Sequence, residues 1–229
     1  MDFAGQTVMI TGASGNLGRA VAAEFGRRGA SLVLVDRARR DLQESEKTLV
    51  VEADLLDAAA VERAVDQALQ RFGRLHALCN LAGGFRMGPP VHETPERDWT
   101  FLLDLNARTV LNTARAVVPR MLEAGGGAIV NVGAYAAQRG AARMGAYTAS
   151  KSATIRLTEA MSAELRERNI NVNCVLPTIL DTPENRSAMP EADPRRWVAP
   201  QDLARVIAFL ASDAARAIHG AALPVTGLS

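Results

Sequence analysis

The sequence predicts an α/β fold, a seven-stranded doubly wound parallel sheet with helices on both faces. Three observations predict it. Short β-branched apolar runs alternate with longer segments of period near 3.6, the runs are apolar throughout rather than every second residue, and a glycine-rich turn joins the first run directly to a helical pattern. A parallel neighbour is reached only through a crossover, so strand, helix, strand in repetition implies a parallel sheet. Continuous apolar strands belong in a sheet covered on both faces.

The expected strands, in order, are TVMIT (7–11), SLVLVD (31–36), TLVVE (48–52), LHALCNLA (75–82), AIVNVG (128–133), INVNCVL (170–176) and ALPV (222–225). Leu17, Val21 and Phe25, then Val61, Val65, Leu69 and Phe72, recur at helical spacing between them. Gly29 follows the basic end of the first helix, and Thr94 before Pro95 reads as a helix cap. A long helical pattern runs from Tyr147 to Arg168. Residues 177–200, rich in proline and without period, read as a substrate loop or short lid within a single domain spanning 1–229.

The 229 residues carry 26 basic and 25 acidic side chains, a formal net charge of +1. That balance argues against nucleic acid or an anionic membrane surface as partner. No stretch approaches the roughly 18 apolar residues needed to cross a bilayer, so the 48% hydrophobic content fills a core. Cys79 and Cys174 each lie in an apolar strand, and the start MDFAGQ lacks a leader pattern; the expectation is a cytoplasmic protein with two structural thiols. His76, His92 and His219 are scattered, and no cluster has metal-ligand spacing.

The turn TGASGNLG, Thr11 to Gly18, sits between the first strand and the first helix. Gly12 suits a tight turn, Gly15 the close approach of a pyrophosphate, and Gly18 close helix-to-strand packing, while the helix N-terminus offers free N–H groups. Ser14, Asn16 and Leu17 complete the segment. Asp36 ends the second strand 18 residues beyond Gly18, where an acid accepts hydrogen bonds from the adenosine ribose and repels a 2′-phosphate. Arg37, Arg39 and Arg40 follow it and work in the opposite sense. The expected cofactor is NAD(H), with NADP(H) as the alternative.

Tyr147-Thr-Ala-Ser-Lys151 places a phenol and an ammonium on one helix face. Such a lysine favours the phenolate and suits a general acid/base. The chain holds only 2 tyrosines and 2 lysines against 24 arginines. Chance therefore gives this pair at that spacing with a frequency of about 0.02.

These residues together resemble the short-chain dehydrogenase/reductase family, and the resemblance covers essentially the whole chain. It implies a Rossmann fold and hydride transfer between a nicotinamide cofactor and a small substrate. TGASGNLG is similar to the family's cofactor turn, with Asn16 where its compact members carry glycine. Asp54-Leu55 matches the pair that contacts adenine, and Asn80-Leu-Ala82-Gly83 the segment beside the adenosine ribose, with Leu81 replacing a second asparagine. Asn106 matches the helix asparagine that supports the lysine through a water in a proton relay. Pro177, Ile179 and Thr182 belong to the segment closing over the nicotinamide, with Thr178 in place of a glycine. The resemblance also implies a homo-oligomer, dimer or tetramer, built on the helices around Val110–Met121 and Ile155–Leu165.

One family residue is missing. The serine expected 13 positions before the tyrosine is Ala134. Three readings follow: a substrate that needs no serine, a substitute such as Tyr135 or Gln138, or a nucleotide-binding regulatory protein with little catalysis. The loop Leu180–Asp193, followed by Trp197, resembles that of quinonoid dihydropteridine reductases, a branch that also lacks the serine. The expected substrate is a small carbonyl or pterin-like compound, with Tyr147 as acid/base and Lys151 and Asn106 in support.

Overall fold

A computed structural model describes residues 2–229. Its centre is one sheet of seven parallel strands in the order β3-β2-β1-β4-β5-β6-β7. The strands are β1 Thr7–Thr11, β2 Ser31–Asp36, β3 Thr48–Glu52, β4 Ala77–Asn80, β5 Gly127–Val132, β6 Ile170–Pro177 and β7 Ala222–Val225. The helices are α1 Asn16–Arg27, α2 Ala58–Phe72, α3 Glu96–Leu103, α4 Thr109–Glu123, α5 Gly145–Leu165, α6 Pro183–Ala188 and α7 Pro200–Leu210. α7 has no counterpart among the helices read from the sequence.

The strands are apolar on both faces because each face has its own core. Val8 and Ile10 of β1 pack with Val21 and Phe25 of α1 and Leu203 and Ile207 of α7. Met9, between them in sequence, points the other way and packs with Val61 and Val65 of α2 and Val117 and Met121 of α4. This two-sided burial is what continuous hydrophobic strands demand. The order of strands reverses between β1 and β4, and the C-terminal ends on either side of that point diverge to leave a crevice.

Three local expectations change. β4 is shorter than the 75–82 run, because at its C-terminal end the Thr11 hydroxyl oxygen accepts the Leu81 and Ala82 amides at 3.1 and 3.3 Å. Those amides are thereby drawn out of the strand ladder. Thr94 caps no helix: its hydroxyl faces the Pro90 carbonyl, and α3 starts at Glu96 with Pro95 flanking. Glu96 and Asp98 in the first turn complement the helix dipole instead. The segment 177–200 is folded over much of its length. Val198 donates to the Ile179 carbonyl and Asp181 to the Val198 carbonyl, each at 2.9 Å, and Thr182 caps α6 by accepting the Asn185 amide. Gly29 has φ +88°, as a helix-ending glycine should.

Candidate active site

The crevice at the C-terminal edge of the sheet is a cleft of about 1450 Å³. Of the residues expected to touch a cofactor, Gly12, Ser14, Gly15, Asn16, Leu17, Gly18, Asp36 and Arg37 form one end of its wall. Asp54, Leu55, Ala82, Gly83, Tyr147, Lys151, Pro177, Ile179 and Thr182 continue it.

The glycines of the turn are fixed by backbone crowding. Gly12 has φ +65°, and a Cβ there would stand 2.9 Å from the Ala82 nitrogen. At Gly18 a Cβ would lie 2.2 Å from the Gly12 carbonyl oxygen, so α1 sits directly against the turn. Gly15 precedes α1 in extended conformation, no side chain caps the helix, and its first turn holds no acid. The uncapped N–H groups and the positive dipole end therefore face the cleft, a fit for a pyrophosphate. At the end of β2, Asp36 Oδ2 accepts from the Ser14 amide at 2.9 Å and the Ser14 hydroxyl at 2.7 Å, while Oδ1 accepts from the Arg37 amide at 2.8 Å. A carboxylate has about four lone-pair positions, which leaves one for a ribose hydroxyl. Arg39 turns to Glu44, and Arg19 is held by Asp41 and the Ser14 carbonyl.

Tyr147 and Lys151 stand one turn apart on α5. Lys151 is 5% exposed, its ammonium donates to the Val132 carbonyl at 2.8 Å, and burial pulls its pKa down to about 8. Burial pushes the Tyr147 phenol the other way, up to about 12. The expected depression of the phenol by the lysine is thus not present in this arrangement. Desolvation disfavours both charged forms, and the ammonium is directed at a strand carbonyl. Gly83 explains its own identity here, since a Cβ would fall 2.9 Å from both Asn106 Oδ1 and Lys151 Nζ.

Asn106 stands behind the cleft rather than in its wall. Its side chain accepts from the Gly84 amide at 2.9 Å and donates to the Gly84 carbonyl at 3.1 Å and to Ser150 Oγ at 2.9 Å. Ser150 in turn donates to the Tyr147 carbonyl at 2.8 Å. Residues Asp104–Arg108 form a single widened turn in which Thr109 N–H reaches the Asp104 carbonyl, five residues back. Such π-bulges are frequent at functional sites. The Asn106 carbonyl accepts the Thr154 hydroxyl at 2.8 Å. What the structure assigns to Asn106 is a grip on the Gly83-Gly84 backbone.

Asn80 also stands back from the cleft. Its amide donates to Asn131 Oδ1 and its carbonyl oxygen accepts from Thr113, both at 2.9 Å, so its side chain ties β4 to β5 and α4. Asn131 continues to Thr158 at 2.9 Å. Sequence reasoning missed this buried ladder. Its signal is legible in retrospect: Ser150, Thr154, Thr158 and Ser162 recur every four residues along α5 and are all buried.

Ala134 is 4% exposed and packs with Ala137, Ile155 and Leu176, with Tyr147 against them. No hydroxyl stands at that position. Tyr135 and Gln138, the candidates to replace it, both line the cleft, as do Phe85 and Phe101, which the sequence reading did not single out. The lid reaches the glycine turn through Asn16, whose amide donates to Glu184 at 2.7 Å. Asn16 is also where the turn departs from glycine. Among the described residues there is no cluster of three or more potential metal ligands, and no helix is long and apolar enough to cross a membrane.

The family model described as short chain dehydrogenase matches residues 6–193. The chain belongs to the short-chain dehydrogenase/reductase family. One relative in this family is D-threitol dehydrogenase of Mycolicibacterium smegmatis, 33% identical over 97% of this chain and 92% of the relative. NAD+-bound xylitol dehydrogenase superposes with a TM-score of 0.91 at 28% identity, over 99% of this chain and 100% of that one. Carveol dehydrogenase of Mycobacterium avium in complex with NAD gives 0.87 at 26% identity, over 98% and 97%. These relatives are named as dehydrogenases, and the chain is an oxidoreductase of the short-chain dehydrogenase/reductase type. The non-catalytic alternative raised by Ala134 finds no support among them.

Proposed function

We propose that this short-chain dehydrogenase/reductase transfers hydride between NAD(H) and a small ketone or secondary alcohol, with Tyr147 as the acid/base. The observation that carries the reading is that Tyr147 and Lys151 line the same cleft as the uncapped N-terminus of α1 and Asp36. Gly12, Gly15, Leu17 and Gly18 would hold the pyrophosphate, Asp36 with Ser14 the adenosine ribose, and Asp54 and Leu55 the adenine. Pro177, Ile179 and Thr182 would cover the nicotinamide. The dinucleotide supplies the hydride acceptor or donor when bound.

The side chains supply the proton. With its pKa raised, Tyr147 is protonated at neutral pH and donates from Oη to the oxygen of a ketone. In the oxidative direction it must first be deprotonated. Lys151 then acts as a nearby cation, and Asn106 keeps the Gly83-Gly84 backbone in register with it. Relatives with bound NAD support the choice of NAD(H), and so does the Asp36 carboxylate at the end of β2, which would repel a 2′-phosphate. The site is that of a small-molecule enzyme, and we place it in the cytoplasm as a homo-oligomer.

The test is NADH oxidation and NAD+ reduction against a panel of ketones and secondary alcohols, with quinonoid dihydropterin included because of the 180–193 segment. Tyr147→Phe is expected to lower kcat/KM by about 10³-fold while NADH binding is retained. Turnover unchanged in Tyr147→Phe, or tighter binding of NADPH than NADH, would overturn the corresponding part of this reading.

A further inference from the structure

The cleft beyond Tyr147 differs in character from its glycine-turn end. Phe85, Met87, Phe101 and Tyr135 are 57, 54, 41 and 42% exposed, and all four line the cleft. Large apolar side chains left uncovered inside a concavity mark where an apolar ligand is received. Their positions are built rather than loose. Phe85 follows Gly84, which Asn106 clamps by both its N–H and its carbonyl, and its ring meets the Tyr147 ring edge-to-face with centroids 4.9 Å apart. Phe101 lies beneath the Arg86 guanidinium at 4.6 Å, and Arg86 is itself held by Asp98.

Several polar groups at this end are partly engaged. Asn185 donates to the Leu180 carbonyl at 2.8 Å, Asp104 is paired with Arg108, and the serine position is Ala134. Gln138 and Arg139 remain, with the two tyrosine hydroxyls. An arginine offers donors only, and the side-chain acceptors left are Gln138, the tyrosines, the Asn185 Oδ1 and the unpaired oxygen of Asp104. A polyol presents a hydroxyl on every carbon, and those facing Phe85, Met87 and Phe101 would lose water without gaining a partner. A ring substrate needs one polar partner at its reacting oxygen, which Tyr147 provides, and a flat apolar wall for the rest, which Phe85 provides.

We infer that the substrates are apolar ring compounds, cyclic ketones or cyclic secondary alcohols, rather than open-chain polyols, and that Phe85 is the residue that selects them. The inference rests on the hydride-transfer reading above. It sets this chain apart from the relatives named for threitol and xylitol and beside the one named for carveol.

The experiment measures NAD+-linked oxidation of 4-methylcyclohexanol against threitol and xylitol, in the wild type and in Phe85→Ala. Phe85 is largely exposed, and unchanged thermal melting verifies that the variant is folded. The expected result is a kcat/KM at least about 100-fold higher for the ring alcohol, a preference that Phe85→Ala reduces by about tenfold. Equal or better use of the polyols, or an equal effect of Phe85→Ala on both classes, would overturn the inference and leave hydride transfer standing. If no alcohol is oxidised, calorimetric titration of 4-methylcyclohexanone into the NAD+-saturated protein decides. Binding weakened in Phe85→Ala supports Phe85 as the wall that receives the ring, and absence of binding, or binding unchanged in Phe85→Ala, overturns the inference.

Discussion

The two ends of the cleft are held in place by different means. At the glycine-turn end, backbone meets backbone: Gly18 has no room for a Cβ beside the Gly12 carbonyl, Gly12 none beside Ala82, and Asp36 is tied by three hydrogen bonds to the turn and to its own strand end. Beyond Tyr147 the wall includes side chains from the segment after β4, from α3, from the turn after β5 and from residues 179–189. Phe85, Met87 and Phe101 lie outside the strands and are each about half exposed. The difference teaches where this fold is constrained and where it is adaptable: cofactor recognition is built into main-chain geometry, and substrate recognition is laid over it by side chains.

Substitutions at each end sharpen that contrast. The largest effect is expected at the turn. Gly18→Ala places a methyl group 2.2 Å from the Gly12 oxygen and 2.7 Å from Ala13 Cα, so α1 must move. Overpacking of this kind costs about 3 kcal/mol. Denaturant midpoints should fall accordingly, and NADH fluorescence titration should show binding lost; a wild-type response would mean that the turn has room for a methyl group.

A middle-sized effect belongs to the junction of the two ends. With Tyr147 near 12 and Lys151 near 8 in the free enzyme, oxidation requires the phenolate together with the ammonium. The phenolate fraction gains tenfold per pH unit below 12, while the ammonium is lost above 8. Oxidative kcat/KM should therefore rise about tenfold per unit up to about pH 8 and then level off. In Lys151→Arg the side chain stays charged at every accessible pH. The break near pH 8 should vanish, and its persistence would assign it to another group. The smallest effect is at Ser14. Ser14→Ala removes one of the bonds to the partly exposed Asp36, about 1 kcal/mol, so the preference for NADH over NADPH should fall about fivefold, with little change in stability. A variant with unchanged cofactor preference would show that the Ser14 and Arg37 amides suffice to hold the carboxylate.

Much of this was legible beforehand, and the reason is local. A parallel strand buried on both faces leaves a continuous apolar run, so β1, β2, β3 and β7 are found at their predicted bounds. The glycine turn is recognisable because its steric demands fall within eight consecutive residues, and the tyrosine and lysine because one helical turn separates them. Errors came where a distant partner decided. Thr11 shortens β4 from the neighbouring strand, whereas α7 carries local signals of its own, Pro200 at its start, Asp202 in the first turn, and Leu203, Ile207 and Leu210 at helical spacing.

The chain by itself determined the parallel α/β sheet, the nucleotide turn and the Tyr147–Lys151 pair, since each depends on residues close in sequence. Tertiary structure alone decided the rest. It raised the phenol and lowered the lysine, because desolvation is a property of the assembled core. It made Asn80 and Asn106 into internal ties rather than cleft residues, because their partners come from other elements. It also gathered Phe85, Phe101 and Tyr135 into one cleft with Tyr147 from segments up to 62 residues away.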